Sequence, residues 1–344
     1  MEVTTLAGTG HLRGTDYGHI LGRRVGETAA ALKQQLAAAG HAPGPLGRRL
    51  ATGPLAQAAA DLTPDMWAET RALARASGLD LEDVLLLTFL DEVWGLTRHT
   101  GCSVVGRVVE GRPGSAERAP LPPTTELGQT MDLPAWSAGR ATVLRIVPGD
   151  APVVLALAYP GSPGLCGAND AGLAVAVNAL PMPAIDEGGL GVAYVTRHVL
   201  SLDSVAAAES FLASVPLAAG QAYSIAARDG LATFETGPGL MRRSTPPGEP
   251  AIAHTNHVLG RGMVPSRPPT ESSRRRLDLL VAGLQRHAPI AAVLRDVTVD
   301  GERWRDRHVT FGAFRATGSE GFVRFIDGDS LRGGRREWSR VSFS

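Results

Sequence analysis

The chain has 344 residues, of which 34 are basic and 34 acidic, so its formal net charge is zero. A balanced charge gives no electrostatic footprint for nucleic acid or an anionic membrane, and we expect neither as a partner. Apolar residues make up 44% of the chain, which is typical of a globular protein rather than a disordered one. A chain of this length is able to bury a sizeable core.

Lysine is almost absent, because Lys33 is the only one in the sequence. A P-loop requires Gly-Lys-Ser/Thr, and Lys33 stands between Leu32 and Gln34 instead. Pyridoxal phosphate and Schiff-base enzymes need a lysine amine. Since Lys33 lies on the polar side of a predicted surface helix, we expect neither enzyme class and no cofactor.

The two cysteines, Cys102 and Cys166, are too few for a disulfide framework. Residues 1–8 lack the basic segment and apolar stretch of a signal peptide. No uninterrupted apolar run approaches the roughly 18 residues of a membrane span. We therefore expect a cytoplasmic protein with reduced thiols.

The first hundred residues predict helices. Apolar side chains recur at helical spacing between Tyr17 and Leu36. Thr63-Pro64-Asp65 is typical of a helix start, with a capping side chain, proline at the first helical position and an acid near the positive end of the dipole. A further helix is predicted over residues 80–95.

After Gly101 the sequence changes to short, valine-rich runs separated by turns. Strands are predicted over residues 103–109, 141–147, 153–159, 173–180, 223–227, 231–235 and 251–254, and a final hairpin over 310–325. Helices are predicted over residues 192–202, 204–215 and 270–287 and from 289 onward. Because the order lacks βαβ alternation, it favours antiparallel sheets covered by helices on their outer faces over a doubly wound parallel sheet.

None of the commonest catalytic signatures occurs, neither Gly-x-Ser-x-Gly, Gly-x-Gly-x-x-Gly, His-Glu-x-x-His nor Cys-x-x-Cys. Four short segments remain as candidates for chemistry. They are Gly101-Cys102-Ser103, Gly128-Gln129-Thr130-Met131-Asp132, Gly167–Leu173 and His254-Thr255-Asn256-His257.

Cys102 stands where a helical segment gives way to a strand. A free cysteine is most often a small buried hydrophobe. As a nucleophile of the Cys-His type it should open a helix, but a strand follows it here. Alternatively, cleavage before Cys102 frees an α-amino group with a reference pKa of about 7.7–8.0, which is able to take the thiol proton. Gly101 suits such a cleavage, since the carbonyl must be attacked at close range in an unusual backbone geometry.

The segment His254–His257 invites a metal interpretation. Catalytic zinc normally has three protein ligands, and no third ligand stands nearby. We therefore expect no metal, and hydrogen bonds from His254 and His257 that hold the end of a strand. Asn256 is of more interest, because an amide is able to donate to a developing oxyanion.

Taken in chain order, these four segments resemble the penicillin acyltransferase family, the acyl-coenzyme A:6-aminopenicillanate acyltransferases of peptidase family C45. This family belongs to the N-terminal nucleophile hydrolases. The early motif Gly14-x-x-Tyr17-Gly18-x-x-Leu21-Gly22 fits as well, so the resemblance spans nearly the whole chain.

The resemblance implies an α+β fold, a four-layer αββα sandwich with a mainly helical N-terminal segment. It also implies self-cleavage between Gly101 and Cys102. The helical α chain (1–101) and the catalytic β chain (102–344) would stay associated, and Cys102 would be nucleophile and, through its new amino group, general base.

The same resemblance assigns roles to other residues. Asp132 would contact the α-amino group or an amine substrate, Asn256 would belong to the oxyanion hole, and Asn169 would line the site. In the run of three arginines that begins at residue 274, Arg276 would orient the surroundings of the nucleophile. Arg307, or its neighbour Arg305, would hold a substrate carboxylate.

The sequence departs from the family at Thr130-Met131, where penicillin acyltransferases have Asn-Trp. Thr-Met-Asp is closer to the bile salt hydrolases, which carry arginine where Gln129 stands. The small-molecule acyl donor, a coenzyme A thioester among the candidates, and the amine acceptor therefore stay open, as does the choice between transfer and hydrolysis.

Two other functions also stay open. One is an uncleaved binding or scaffold protein of the same fold. The other is an unrelated Cys-His hydrolase that uses Cys102 and His254. Asp132 would then cap a turn, and Asn169 would satisfy buried backbone groups at a strand end.

Overall fold

The computed structural model describes residues 1–94, 101–111, 123–298, 308–334 and 337–344. Its helices are α1 (Gly10–Ala38), α2 (Pro43–Thr52), α3 (Pro54–Leu62), α4 (Pro64–Ser77), α5 (Leu81–Thr88), α6 (Leu90–Trp94), α7 (Val192–Val199), α8 (Val205–Ser214), α9 (Glu271–Gln285), α10 (Ile290–Asp296) and α11 (Gly328–Arg332). Its strands are β1 (Val3–Ala7), β2 (Gly101–Val109), β3 (Thr124–Pro134), β4 (Thr142–Val147), β5 (Val154–Ala158), β6 (Cys166–Asn169), β7 (Ala174–Ala179), β8 (Gln221–Ala227), β9 (Gly230–Gly237), β10 (Leu240–Arg243), β11 (Ala251–His254), β12 (His308–Thr317), β13 (Phe322–Asp327) and β14 (Ser339–Ser342).

The described strands form two sheets. The larger has the order β1-β4-β5-β6-β7-β8-β9-β10, and the smaller has the order β11-β2-β3-β12-β13-β14. Neighbouring strands are antiparallel except β1 and β4, which pair in parallel. Both sheets are therefore built mainly from local, antiparallel connections, as the order of the predicted elements indicated.

The two sheets pack face to face, with β2 and β3 of the smaller sheet against β7 and β8 of the larger. Helices α7 and α8 cover the other face of the larger sheet, and α9, α10 and α11 cover that of the smaller. The expected four-layer αββα sandwich is thus confirmed. Gln129 joins the two sheets, because its amide bonds both the N–H and the carbonyl of Val177.

The glycines of the early motif let two helices approach closely. In α1, Gly14 and Gly18 face α4, and a Cβ on Gly14 would lie 2.0 Å from the carbonyl oxygen of Glu69. A Cβ on Gly18 would lie 2.6 Å from the Cβ of Ala76. The i, i+4 spacing puts both glycines on one face of α1, so the motif is explained by helix packing.

Five of the described strands were not expected from the sequence, namely β1, β3, β6, β10 and β14. The strand β3 lies between β2 and β12, and almost all of its residues are buried. A strand buried on both faces lacks the alternation of apolar and polar residues, and β3 carries polar side chains such as Gln129 and Asp132. Its sequence therefore reads as a loop although it forms the centre of a sheet.

In the parts of the chain that the structure describes, no helix has the length and apolar character needed to cross a membrane.

Candidate active site

The site is built where β2 begins, between two strands that supply its partners. Gly101 pairs with Asp132 of β3, and Cys102 pairs with Met131. On the other side of β2, the strand β11 ends at His254, so that Asn256 follows close to the start of β2. Residues 154 positions apart in the sequence thus meet at one edge.

The thiol of Cys102 is buried but reaches a cavity. The residue is 6% exposed and its Sγ lies 3.7 Å from the Sδ of Met131. It lines a cavity of about 40 Å³ that Asp132 lines as well. Burial, with a smaller contribution from the Asp132 carboxylate, raises the pKa of the Cys102 thiol to about 12. The thiol is therefore protonated at neutral pH and needs a base beside it.

The backbone of Cys102 is held on both sides of its Cα. Its N–H donates to Oδ1 of Asn256 at 2.8 Å. Its carbonyl accepts from a guanidinium nitrogen of Arg276 at 2.5 Å, and the other terminal nitrogen of that guanidinium lies 2.9 Å from the same Asn256 oxygen. Asn256 and Arg276 thus fix the position and orientation of Cys102 together.

Helix α9 explains which arginine of the run of three reaches the site. Its buried residues are Ser273, Arg276, Leu280 and Gly283, which follow helical spacing on one face. Arg274 and Arg275 are exposed.

Ser273, one turn before Arg276 on α9, anchors the loop that carries Asn256. The backbone N–H of Asn256 donates to Oγ of Ser273 at 3.0 Å, and the ring of His257 lies 2.8 Å from the same oxygen. The serine therefore fixes the loop, and the arginine on the same face of the helix reaches Cys102.

Asp132 is 2% exposed and lies beside the residue that precedes Cys102. Oδ1 accepts a hydrogen bond from Thr310 at 2.7 Å, whereas Oδ2 has no hydrogen-bond partner among the described residues. Burial raises the pKa of Asp132 to about 6, and the nearby Arg276 and Thr310 offset only part of that rise. One oxygen of this carboxyl therefore stays available as an acceptor.

Gly101 is required here for a different reason from the one that the sequence suggested. It lies in the extended strand β2 and is not among the glycines with positive φ. A Cβ at this position would lie 2.7 Å from Oδ2 of Asp132, well inside van der Waals contact. The expected unusual backbone geometry is therefore not observed in the intact chain, and the space beside the carboxyl is what demands glycine.

Asn169 has its side chain engaged elsewhere. Its Nδ2 donates to the carbonyls of Leu200 and Leu202, at 2.9 and 2.6 Å, and its Oδ1 accepts from the N–H of Leu173 at 2.9 Å. It does not line the cavity beside Cys102. The structure thus gives Asn169 the role of satisfying backbone groups and does not bring it together with the other site residues.

His254 is 1% exposed, and both of its ring nitrogens are occupied. Nε2 lies 2.9 Å from Glu235, and Nδ1 lies 3.2 Å from Oδ1 of Asn178. Burial by itself raises the pKa of Glu235, but hydrogen bonds from His254 and from two backbone N–H groups outweigh it and hold that pKa below its usual value. The His254–Glu235 pair fixes the end of β11 and is not placed as the base of a Cys-His dyad.

Other residues of the cavity were not found from the sequence. Asp91 of α6, Thr196 of α7 and Gln221 at the start of β8 line it, together with Tyr159. Asp91 had one signal, because it interrupts the buried stripe of its helical segment, four residues after Leu87. The others had none, since only the tertiary structure brings these elements to Cys102.

Arg305 and Arg307 lie outside the described residues. Within the described parts of the chain, no group of three or more histidine, cysteine, aspartate or glutamate side chains is arranged to hold a metal ion.

Comparison with known proteins gives a family match. The model of the family "Acyl-coenzyme A:6-aminopenicillanic acid acyl-transferase" matches residues 125–299, which are 175 of the 344 residues. The matched range includes Asp132, Asn256 and Arg276 but begins after Cys102. A search of curated proteins found no match.

Solved structures with similar folds include a mutant of the conjugated bile acid hydrolase from Clostridium perfringens. It has 12% identity and a TM-score of 0.44, with 70% of this chain and 92% of that chain covered. Penicillin V acylase from Agrobacterium tumefaciens has 16% identity and a TM-score of 0.39, with 65% of this chain and 82% of that chain covered. At these TM-scores the similarity carries no argument about this chain.

The family model covers more than half of the sequence, and its range includes Asp132, Asn256 and Arg276, the three polar residues described around Cys102. The chain therefore belongs to the acyl-coenzyme A:6-aminopenicillanic acid acyl-transferase family.

Proposed function

We propose that the chain cleaves itself between Gly101 and Cys102 and then acts as a cysteine acyltransferase or amidohydrolase with Cys102 as its N-terminal nucleophile. One observation supports this most directly. The nitrogen of Cys102 donates to Asn256, its carbonyl accepts from Arg276, and its side chain lines the cavity. A merely buried cysteine needs no such set of contacts.

Because the pKa of the Cys102 thiol is about 12, the thiol needs a base to become a thiolate, and cleavage supplies one. The new α-amino group belongs to the same residue and has a reference pKa of about 7.7–8.0, so it takes the thiol proton over a very short path. Oδ1 of Asn256, which accepts from this nitrogen in the intact chain, continues to orient it. The free Oδ2 of Asp132 is available to hold the protonated amine.

The chemistry then follows in two steps. The thiolate attacks the substrate carbonyl and forms a tetrahedral oxyanion, which the Nδ2 group of Asn256 stabilises with the N–H that it does not use on the Ala179 carbonyl. The intermediate collapses to a thioester on Cys102, and the α-ammonium group returns its proton to the leaving group. Water or an amine resolves the thioester, so the acceptor decides between hydrolysis and transfer.

The two fragments would stay together after cleavage. Residues 1–101 contribute β1, which pairs with β4 of the later segment. Glu69 of the first fragment forms a buried ion pair with Arg197 of the second, and both side chains are at most 5% exposed. The same hydrophobic core contains residues from both sides of Gly101. Residues 1–101 and 102–344 therefore form one integrated domain in this proposal.

Intact-mass spectrometry of the purified protein tests cleavage. We expect the wild type to give two fragments, residues 1–101 and 102–344, which co-elute on size exclusion. Cys102→Ala should give one full-length, inactive chain, whereas Cys166→Ala should be cleaved as in the wild type. A wild type that stays intact and is active, or a Cys102→Ala variant that turns over an amide, would contradict the proposal.

A further inference from the structure

The described lining of the cavity beside Cys102 contains three polar groups that lack partners: two carbonyl-type oxygens, which only accept hydrogen bonds, and one hydroxyl, which accepts and donates. Among the described residues, Oδ2 of Asp132, Oε1 of Gln221 and Oγ1 of Thr196 have no hydrogen-bond partner. Each of these residues lines the cavity and is at most 2% exposed. A buried acceptor without a partner is costly, so the cavity favours a ligand that brings hydrogen-bond donors.

The charged residues that line the cavity are acidic, which also favours a ligand with hydrogen-bond donors and a positive charge. Asp91 and Asp132 both line it, and no described lining residue is basic. Gln221 donates to the Asp91 carboxylate, which identifies Oε1 as the amide atom that is left over. Asp91 and Gln221 come from α6 and β8, away from the strand that carries Cys102.

The remaining lining is satisfied or apolar. The hydroxyl of Tyr159 donates to the carbonyl of Leu87 at 2.7 Å, and that of Thr88 donates to the carbonyl of Val84 at 3.0 Å. The rest of the wall is mainly aliphatic, with Leu90, Met131, Leu133, Leu165, Val177 and Val192. A ligand that fits this cavity has an apolar body and a positively charged group that carries several N–H donors.

We propose that the substrate carries a protonated primary amine, bound by the Asp91 carboxylate with Gln221 and Thr196 as its other acceptors, on an otherwise apolar molecule. An ammonium group has three donors and no acceptor, which matches three acceptors. A carboxylate or phosphate in the same place would face Asp91 and Asp132, whereas the guanidinium of Arg276 is engaged by the Cys102 carbonyl and Asn256 and does not line the cavity. This inference rests on the proposed function, in which Asp132 is left to the α-amino group of Cys102.

The test measures binding rather than turnover. The full chain with Cys102→Ala is titrated by calorimetry at pH 7.5 with n-hexylammonium, 1-hexanol and hexanoate, which differ in the head group and whose unbranched alkyl chains match to within one carbon. We expect n-hexylammonium to bind at least about tenfold more tightly than 1-hexanol, as a charge-assisted hydrogen bond allows, and hexanoate to bind most weakly. Asp91→Asn should remove the advantage of the ammonium and leave 1-hexanol binding within about twofold, which also shows that the variant is folded.

Glu92→Gln is the matched control. Glu92 is the next acid on α6, but it lines a second cavity with α2 and accepts from the N–H of Val192 at 2.8 Å. We expect this variant to bind n-hexylammonium like its parent. Equal losses in Asp91→Asn and Glu92→Gln, or ammonium binding no tighter than that of the alcohol, would overturn the inference.

The result is separable from the proposed function, because Cys102→Ala requires neither cleavage nor chemistry. Normal cleavage of the wild type without ammonium preference would overturn only the substrate class. Preferential ammonium binding by a wild type that is never cleaved would overturn only the autoprocessed mechanism.

Discussion

The start of β2 and the strand β6 both carry a buried cysteine, but their surroundings differ. Cys102 is 6% exposed and lines the cavity, whereas Cys166 is 0% exposed and belongs only to the hydrophobic core. Burial raises the pKa of both thiols. Burial alone therefore makes a thiol inert, and what distinguishes Cys102 is a cavity and polar contacts on its backbone.

Each cysteine also has an asparagine nearby in its region, and the two amides are used differently. Asn169 ends β6 and bonds three backbone groups. Asn256 bonds Cys102, Arg276 and only one backbone carbonyl. The comparison teaches that the partners of each asparagine distinguish the two regions: Asn169 bonds only backbone groups beside β6, whereas Asn256 bonds Cys102 and Arg276 beside β2.

Arg276→Ala should give the largest effect. It removes the guanidinium from the Cys102 carbonyl and from Asn256, so we expect cleavage and turnover to fall by roughly 100-fold or more, as for loss of a buried charged hydrogen-bonding group. Arg275→Ala, which changes an exposed side chain of the same helix, should leave both rates unchanged. Rates are followed by gel densitometry and an amide substrate. Equal cleavage and turnover rates in the two variants would show that the contacts of Arg276 with Cys102 and Asn256 do not set the start of β2 apart.

Gly101→Ala should slow cleavage by at least about tenfold. The added methyl group collides with Asp132, 2.7 Å away, and displaces its carboxyl from the cleavage site. Gly149→Ala is the control, because a Cβ at Gly149 meets nothing within 4 Å. Time courses of the fragment ratio measure the effect. Cleavage of Gly101→Ala at the rate of the wild type would show that space beside Asp132 is not what requires glycine.

The pH dependence of alkylation separates the two thiols. In the full-length chain before cleavage, the pKa of Cys102 is about 12, above that of a free thiol, so its thiolate fraction and its rate with iodoacetamide should rise about tenfold per pH unit between pH 7 and 9. Cys166, which the cavity does not reach, should stay unmodified in the folded protein. Peptide mapping reports both sites. A Cys102 rate that levels off near pH 9 would indicate a thiol of ordinary pKa.

Asn169→Ala should affect cleavage least. It leaves three buried backbone groups without their partner, so we expect the free energy of unfolding to fall by about 2–4 kcal/mol. The fraction of protein that folds should be cleaved like the wild type. Denaturant unfolding and the gel assay measure the two quantities. Loss of cleavage in a well-folded Asn169→Ala protein would restore Asn169 to the site, as the family resemblance implied.

Part of the candidate site could be predicted because its residues belong to short sequence motifs. Gly101-Cys102, Asp132, the segment from His254 to His257, and Arg276 follow one another in a specific order. Each of them depends on a few residues whose chemistry is visible in isolation. Helices α1, α4 and α5 were predictable for a similar reason, since a periodic apolar face and a proline at the first helical position are local. The expected cap at the start of α4 was wrong, because the hydroxyl of Thr63 donates to the carbonyl of Ala59 instead.

The features that the sequence did not reveal depend on contacts between residues that are far apart in the chain. The strand β3 is buried on both faces and reads as a loop, although it places Asp132 beside Gly101. Asp91, Thr196 and Gln221 carry no motif and come from three elements that only packing brings to the thiol.

The sequence by itself thus determined the candidate nucleophile, the order of its partners and the class of fold, because motifs and periodicity are properties of adjacent residues. The tertiary structure decided which arginine of three faces Cys102, that Asn169 supports backbone groups instead, and which acceptors surround the cavity. These depend on burial and on distances between residues far apart in the chain, and the physical reason is that hydrogen-bond satisfaction and charge are settled only when the sheets and helices pack.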